Sequence, residues 1–344
     1  MTSDPTASVS KPNVRVYPRW DAAFLEAIRA ARPRRIFLQV PAGLVRHAEA
    51  LADELRTATS AHVSLSARAC FGACDLPTAT EAGAADLNVV LGHAPIPNVP
   101  VERPTWFVEM RDDRGDPVAL AGALERAGVP RRIGLVYSVQ HLDLRGPLEA
   151  ELGRRGFSVR VAAGDRRLAY PGQALGCNYT GAEAVADQVD AFVFVGTGRF
   201  HPVGLAFATE RPVYAVDPMG QTVEPPIDRS ALVRRRQLLV ASLASARRWG
   251  IVVSTFVGQE RLAMARSLEE RARRRGREAT IVRTDRLEPA DLEGRGFDAY
   301  VSTACPRIAL DDSSLYPRPI LTPPEFLTAI GDRPIEPYVF DTFH

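Results

Sequence analysis

Lysine is nearly missing from this chain of 344 residues: of its 43 basic residues only Lys11 is a lysine, and the rest are arginine. Lys11 lies in a polar leader with Pro5 and Pro12, residues 1–12, which reads as disordered. Without a lysine in the body of the chain there is no Schiff base, and so no pyridoxal chemistry. A Walker A phosphate loop, which needs Gly-Lys-Ser/Thr, is excluded too. No run of 18 apolar residues exists to span a membrane, and the first residues lack the apolar stretch of a signal peptide. Charge of one sign is also absent: the net charge is +2, too balanced for a broad nucleic-acid footprint. Cysteine is scarce, with four in all. In a chain expected to be cytoplasmic these are not expected to be disulfides.

What is present is a repeat. A short apolar strand opens three times, at Arg35-Ile36-Phe37-Leu38-Gln39-Val40, at Arg132-Ile133-Gly134-Leu135-Val136-Tyr137 and at Gly250-Ile251-Val252-Val253-Ser254-Thr255-Phe256. Segments of helical period follow at about 43–58, 144–155 and 259–275, then second strands at 62–67, 157–162 and 278–283. Third strands follow Asp86, Asp190 and Asp298; fourth strands follow Pro104, Pro212 and Pro319. Apolar runs alternating with helical period predict parallel strands covered by helices. A period of roughly 100 residues is too long for a solenoid. It predicts an α/β protein of three small open parallel-sheet domains, at 13–128, 129–228 and 229–344, with helices at about 117–127 and 229–248 bridging them. Ligands of such sheets bind outside the carboxyl ends of the strands.

The cysteines follow the repeat. Cys74, in Cys70-Phe-Gly-Ala-Cys74-Asp75, comes after the second strand of the first copy. Cys177, in Leu175-Gly176-Cys177-Asn178, comes after the second strand of the second. Cys305, in Thr303-Ala304-Cys305-Pro306, comes directly after the third strand of the third. One thiolate per domain at strand ends can meet at a shared apex, where sulfur ligands favour zinc or an iron–sulfur cluster. A closed structural zinc site wants four ligands. Cys70 reads as a small buried hydrophobe.

The flanking strings carry a resemblance. Gly72-Ala73-Cys74-Asp75-Leu76, Leu175-Gly176-Cys177-Asn178, Gly196-Thr197-Gly198-Arg199-Phe200-His201-Pro202-Val203-Gly204 and Ala304-Cys305-Pro306-Arg307-Ile308-Ala309 stand in order over three repeats. Together with Gln39-Val40-Pro41-Ala42-Gly43-Leu44 and Gly92-His93-Ala94, this set resembles the archaeal diphthamide-synthesis radical enzymes, the 2-(3-amino-3-carboxypropyl)histidine synthase family. The resemblance implies a homodimer of three-domain subunits with Cys74, Cys177 and Cys305 on a 4Fe-4S cluster around which the domains are arranged. It implies S-adenosylmethionine at the open iron as co-substrate. It also implies transfer of the 3-amino-3-carboxypropyl group to imidazole C2 of a histidine on translation elongation factor 2, with no membrane and no direct nucleic acid involved. In that pattern Cys70 is not a ligand.

Other residues are weighed by placement. His93 follows the third strand of the first copy, and Gly196, Gly198, Arg199 and His201 follow that of the second. They are candidates for the cofactor-binding cleft, with the glycines allowing close backbone approach. Arg307, beside Cys305, and Arg199 are the candidate clamps on a methionine carboxylate. The arginine run at 271–275 reads as a solvated helix face. The competing architecture is a quinolinate-synthase-like 4Fe-4S dehydratase, and the non-catalytic alternative is a metal-binding protein.

Overall fold

The computed structural model describes residues 13–285 and 287–344; the leader expected to be disordered lies outside them. Three sheets follow one another along the chain. The first contains β1 (Val14–Tyr17), β2 (Arg35–Gln39), β3 (His62–Leu65), β4 (Leu87–Leu91) and β5 (Thr105–Val108), in the order β1-β5-β4-β2-β3. The second contains β6 (Arg132–Tyr137), β7 (Ser158–Arg160), β8 (Ala191–Val195), β9 (Val213–Asp217) and β10 (Thr222–Val223), in the order β10-β9-β8-β6-β7. The third contains β11 (Arg248–Ser254), β12 (Glu278–Thr284), β13 (Ala299–Ser302) and β14 (Ile320–Leu321), in the order β12-β11-β13-β14. Every pairing is parallel except that of β10 with β9. In each copy the strand order is therefore second, first, third, fourth. The direction reverses between the first and third strands, the kind of switch point outside which open parallel sheets bind ligands.

The repeated aspartate before each third strand has a physical cause. Asp86 accepts from the backbone N–H groups of Arg34 and Arg35, both at 3.0 Å. Asp298 accepts from those of Arg247 and Arg248, at 2.8 and 2.9 Å. Asp190 takes the Arg132 guanidinium instead, with Nε at 2.9 Å. Each ties the start of a third strand to the start of the first strand beside it. A second repeat lies in the cross-strand pairs. Gly134 faces Phe192, and a Cβ there would lie 2.3 Å from the ring. Gly250 faces Tyr300 in the same way, at 2.5 Å. In the first sheet the corresponding pair is Phe37 and Asn88, with the bulk on the opposite strand. The volume of the pair is kept near what a close-packed layer accepts.

The helices cover these sheets as the periodicity predicts, with shifted ends. The segment at 43–58 is a 3-10 turn, Ala42–His47, running into an α-helix, Ala48–Thr59. The segment at 144–155 is an α-helix over Arg145–Arg154 preceded by a 3-10 turn, and that at 259–275 is Leu262–Arg274. The bridging helices are Pro117–Arg126 and Arg229–Ser242, the second ending six residues before the end predicted for it. Asp116 and Asp228 cap them, accepting from Val118 N and Ala231 N. No helix among the described residues is long and apolar enough to cross a membrane. Two elements have weak sequence signals. β1 is only four residues long and gains its stability by pairing with β5. β10 is a two-residue edge strand.

Candidate functional site

The Cys74 loop is shaped from both sides. Cys70 N–H donates to Val40 O at 3.0 Å, extending the β2–β3 pairing past the strand ends. Asp75 N–H closes a turn onto Gly72 O at 2.9 Å, and Asp75 O accepts from Gln39 Nε2 at 3.0 Å. The Asp75 carboxylate is fully buried and ion-paired with Arg68, which also reaches Glu81 at 2.9 Å. Burial pushes the Asp75 carboxyl up, against the pull of Arg68. The third domain then closes on this loop: Gln259 Nε2 lies 3.4 Å from Cys74 Sγ. A Cβ on Gly258 would lie 2.5 Å from Cys74 Cα, so only glycine fits that close approach.

Cys177 lies in a tight loop held by reciprocal backbone bonds between Leu175 and Asn178, at 3.2 and 3.0 Å. Cys305 stands at the N-cap of a short helix, Pro306–Leu310, immediately past β13. Burial pushes Cys74 up to about 11, and Cys177 adds to it. Burial pushes Cys305 up further, with Cys177 and Cys74 both contributing. Cys177 is raised by burial and pulled back by Arg167. Cys70, 4% exposed and pushed by burial up to about 12, instead contacts His93 Nδ1 at 3.6 Å.

A cation stands by each thiol: Arg167 acts on Cys74 and Cys177, Arg261 on Cys177, and Arg307 on Cys305. These three thiols can be deprotonated only with such charge compensation or by a metal, because an isolated buried thiolate is costly. The donor set, one buried and two half-buried cysteines from three sheets with guanidinium neighbours, therefore fits a negatively charged thiolate-held cluster. Among the described residues no three His, Cys, Asp or Glu side chains close into the geometry of a single-ion chelate.

The structure separates the other candidates. Arg307 is 2% exposed, ion-paired with Asp311 at 2.6 Å, and its guanidinium lies over the Phe200 ring at 4.5 Å. Its Nη1 is buried without a hydrogen-bond partner. A Cβ on Gly204 would lie 2.6 Å from that nitrogen, so the helix Phe200–Ala208 is cut away to admit it. His201 stacks on Phe194 with ring centroids 5.6 Å apart. Burial holds it down to about 4, with Arg307 and His93 as smaller contributors, and burial holds His93 down to about 4 as well. Both rings are therefore neutral at pH 7. Arg199, in contrast, is exposed and paired with Glu224 at 2.9 Å, so the structure gives it a partner of its own. Gly198 has φ +77° with open space at its Cβ position, whereas the corresponding space at Gly196 is filled by Phe194 and Ser138.

Sequence reasoning missed Arg167, Arg261, Gly258, Gln259 and Phe343. None carries a local signal: the two arginines look like any others, and only burial against the cysteine loops distinguishes them.

The family model for diphthamide synthesis proteins matches residues 40–339. The chain is 35% identical over 322 residues to the 2-(3-amino-3-carboxypropyl)histidine synthase of Pyrococcus horikoshii, covering 92% of this chain and 91% of that one. It is 28% identical to subunit 1 of the human synthase, covering 92% of this chain and 73% of the other. A crystal structure of Dph2 from Pyrococcus horikoshii with a 4Fe-4S cluster superposes with a TM-score of 0.83 at 34% identity, covering 93% of this chain and 92% of that one. The three-sheet architecture, the cysteine placed in each domain and these matches agree: the chain belongs to the diphthamide synthesis family, the enzymes known as 2-(3-amino-3-carboxypropyl)histidine synthases.

Proposed function

We propose that Cys74, Cys177 and Cys305 hold a 4Fe-4S cluster and that this protein performs the first step of diphthamide biosynthesis. In this reading it transfers the 3-amino-3-carboxypropyl group of S-adenosylmethionine to imidazole C2 of a histidine on translation elongation factor 2. The reading places the enzyme in the cytoplasm, as a homodimer. The observation that carries it is the convergence of three cysteine loops from three sheets: Gly258 is packed on the Cys74 backbone, and Phe343 N–H donates to Cys177 O while its ring lies under the Arg261 guanidinium that holds Thr303 O and Ala304 O beside Cys305. Three protein ligands leave a fourth cluster position for substrate. When bound, the cluster supplies the electron that splits a sulfonium C–S bond.

The chain's own residues bind, orient and exclude. Arg307 has a buried nitrogen without a partner beside the third cysteine, and a guanidinium takes a carboxylate in a two-pronged grip. Both arginines have a carboxylate partner, Asp311 and Glu224, but Arg307 is buried and keeps Nη1 uncommitted whereas Arg199 is exposed, which makes Arg307 the better clamp for the methionine carboxylate. The neutral rings of His93 and His201 and the Phe200 ring give the cleft apolar walls without adding cations. Which C–S bond breaks is set by which one is held in line. An alignment advantage of about 1.4 kcal/mol in barrier already gives a tenfold preference.

Anaerobic, reconstituted protein given S-adenosylmethionine and a strong reductant is expected to release methylthioadenosine. Mass spectrometry of the products decides it, and 5′-deoxyadenosine as the main product refutes the reading. Arg307→Lys is expected to raise KM for S-adenosylmethionine by about tenfold or more, since lysine lacks the fork; an unchanged KM removes Arg307 as the clamp.

A further inference from the structure

We propose that Phe343 is the positioning residue that keeps the three cysteine loops in register for the cluster, a role that rests on the cluster reading above. Phe343 touches the surroundings of each cysteine by a different contact. Its backbone N–H donates to Cys177 O at 2.9 Å, and its own carbonyl accepts from Asn178 Nδ2 at 2.6 Å. One guanidinium, Arg261, lies over its ring with Cζ 3.8 Å from the centroid. Arg261 Nε donates to Thr303 O at 2.7 Å and Nη2 to Ala304 O at 3.3 Å, the two residues before Cys305. A second guanidinium, Arg167, lies 4.9 Å from the same ring. Arg167 Nη2 donates to Gly258 O at 2.7 Å, and Gly258 is the residue packed against the Cys74 backbone. The ring is 5% exposed, and Asp341, two residues earlier, pairs with Arg261 at 2.9 Å.

The physical logic follows from the origin of the loops. Three ligands on three domains have no shared backbone to fix their spacing, so each loop can drift independently. Two guanidiniums brought close together repel, and an aromatic ring, with its electron-rich faces, attracts both. Phe343 thus joins the backbone beside Cys74 to that beside Cys305 through two cation–ring contacts, and holds the Cys177 loop through its own main chain. A leucine here would fill the same apolar space without an electron-rich face.

The test compares the full-length wild type with Phe343→Ala, Phe343→Leu and Phe343→Tyr, all reconstituted anaerobically with iron and sulfide. The measurements are iron and sulfide per chain, the rate of cluster loss to an iron chelator, and the melting temperature of the apo-protein. Phe343→Ala and Phe343→Leu are expected to fold but to lose the cluster to chelator about tenfold faster or more, the scale on which residues behind metal ligands act. Phe343→Tyr is expected to match the wild type. If Phe343→Ala does not fold, Phe343→Leu decides. Leucine-variant retention equal to wild type overturns the role of Phe343 while leaving the cluster reading standing. A wild type that takes up no iron and sulfide overturns both.

Discussion

Cys74→Ala, Cys177→Ala and Cys305→Ala are each expected to abolish the stable cluster, whereas Cys70→Ala is expected to keep it. The expectation rests on geometry. The loops that carry the first three thiols are pinned to one another: Gly258 is packed on the Cys74 backbone, Arg261 donates to Thr303 O and Ala304 O beside Cys305, and Phe343, whose ring lies under that guanidinium, donates to Cys177 O. Because each comes from a different domain, no neighbouring cysteine can replace it without moving a whole loop. Cys70 is nearest in sequence to Cys74, yet its Cα is fixed by the Cys70 N–H to Val40 O bond and its sulfur contacts His93. Iron and sulfide quantitation after anaerobic reconstitution, with the visible spectrum of the cluster, reads the result. A dispensable Cys74, Cys177 or Cys305 together with an indispensable Cys70 reverses the ligand assignment.

Gly258→Ala is expected to be nearly as damaging to the cluster while touching no sulfur. The new Cβ would lie 2.5 Å from Cys74 Cα and 2.7 Å from Cys74 O. These are backbone atoms and cannot rotate aside as a side chain can. Either the Cys74 loop or the third-domain loop must move, at an overpacking cost of about 1–3 kcal/mol. Moving Cys74 spoils its spacing to the other two thiols; moving Gly258 also shifts the carbonyl that holds Arg167. The expected result is loss of most bound iron with the apo-fold retained, read by metal analysis beside circular dichroism. Gly146→Ala is the control, because nothing lies within 4 Å of its Cβ position. Full cluster occupancy in Gly258→Ala would show that the two loops are not held as closely as their contact implies.

Much of the architecture was legible in the residues. Continuous apolar runs such as Leu87–Leu91 and Ala191–Val195 are buried along their whole length, as central parallel strands must be. The repeated aspartates marked the third strands because each pins the adjacent first strand. β1 was not legible: its Val14-Arg15-Val16-Tyr17 pattern is too short to distinguish from a loop, and its partner β5 lies about 90 residues away in sequence.

For the site, the sequence by itself determined that one cysteine stands near a strand end in each of three copies, since local strand and turn patterns place residues at strand ends. It also determined that His93, His201 and Arg307 follow the third strands of their copies, the last two in the short helices that begin there. Only the tertiary structure decided which arginine is buried with a nitrogen left without a partner and which is exposed and spent on Glu224. It alone decided that Gly258 is pressed on Cys74 and that Phe343 lies between Arg167 and Arg261. The reason is physical: strand and turn preferences act over a few residues, whereas burial and charge pairing in this site join residues of three sheets that lie far apart in sequence.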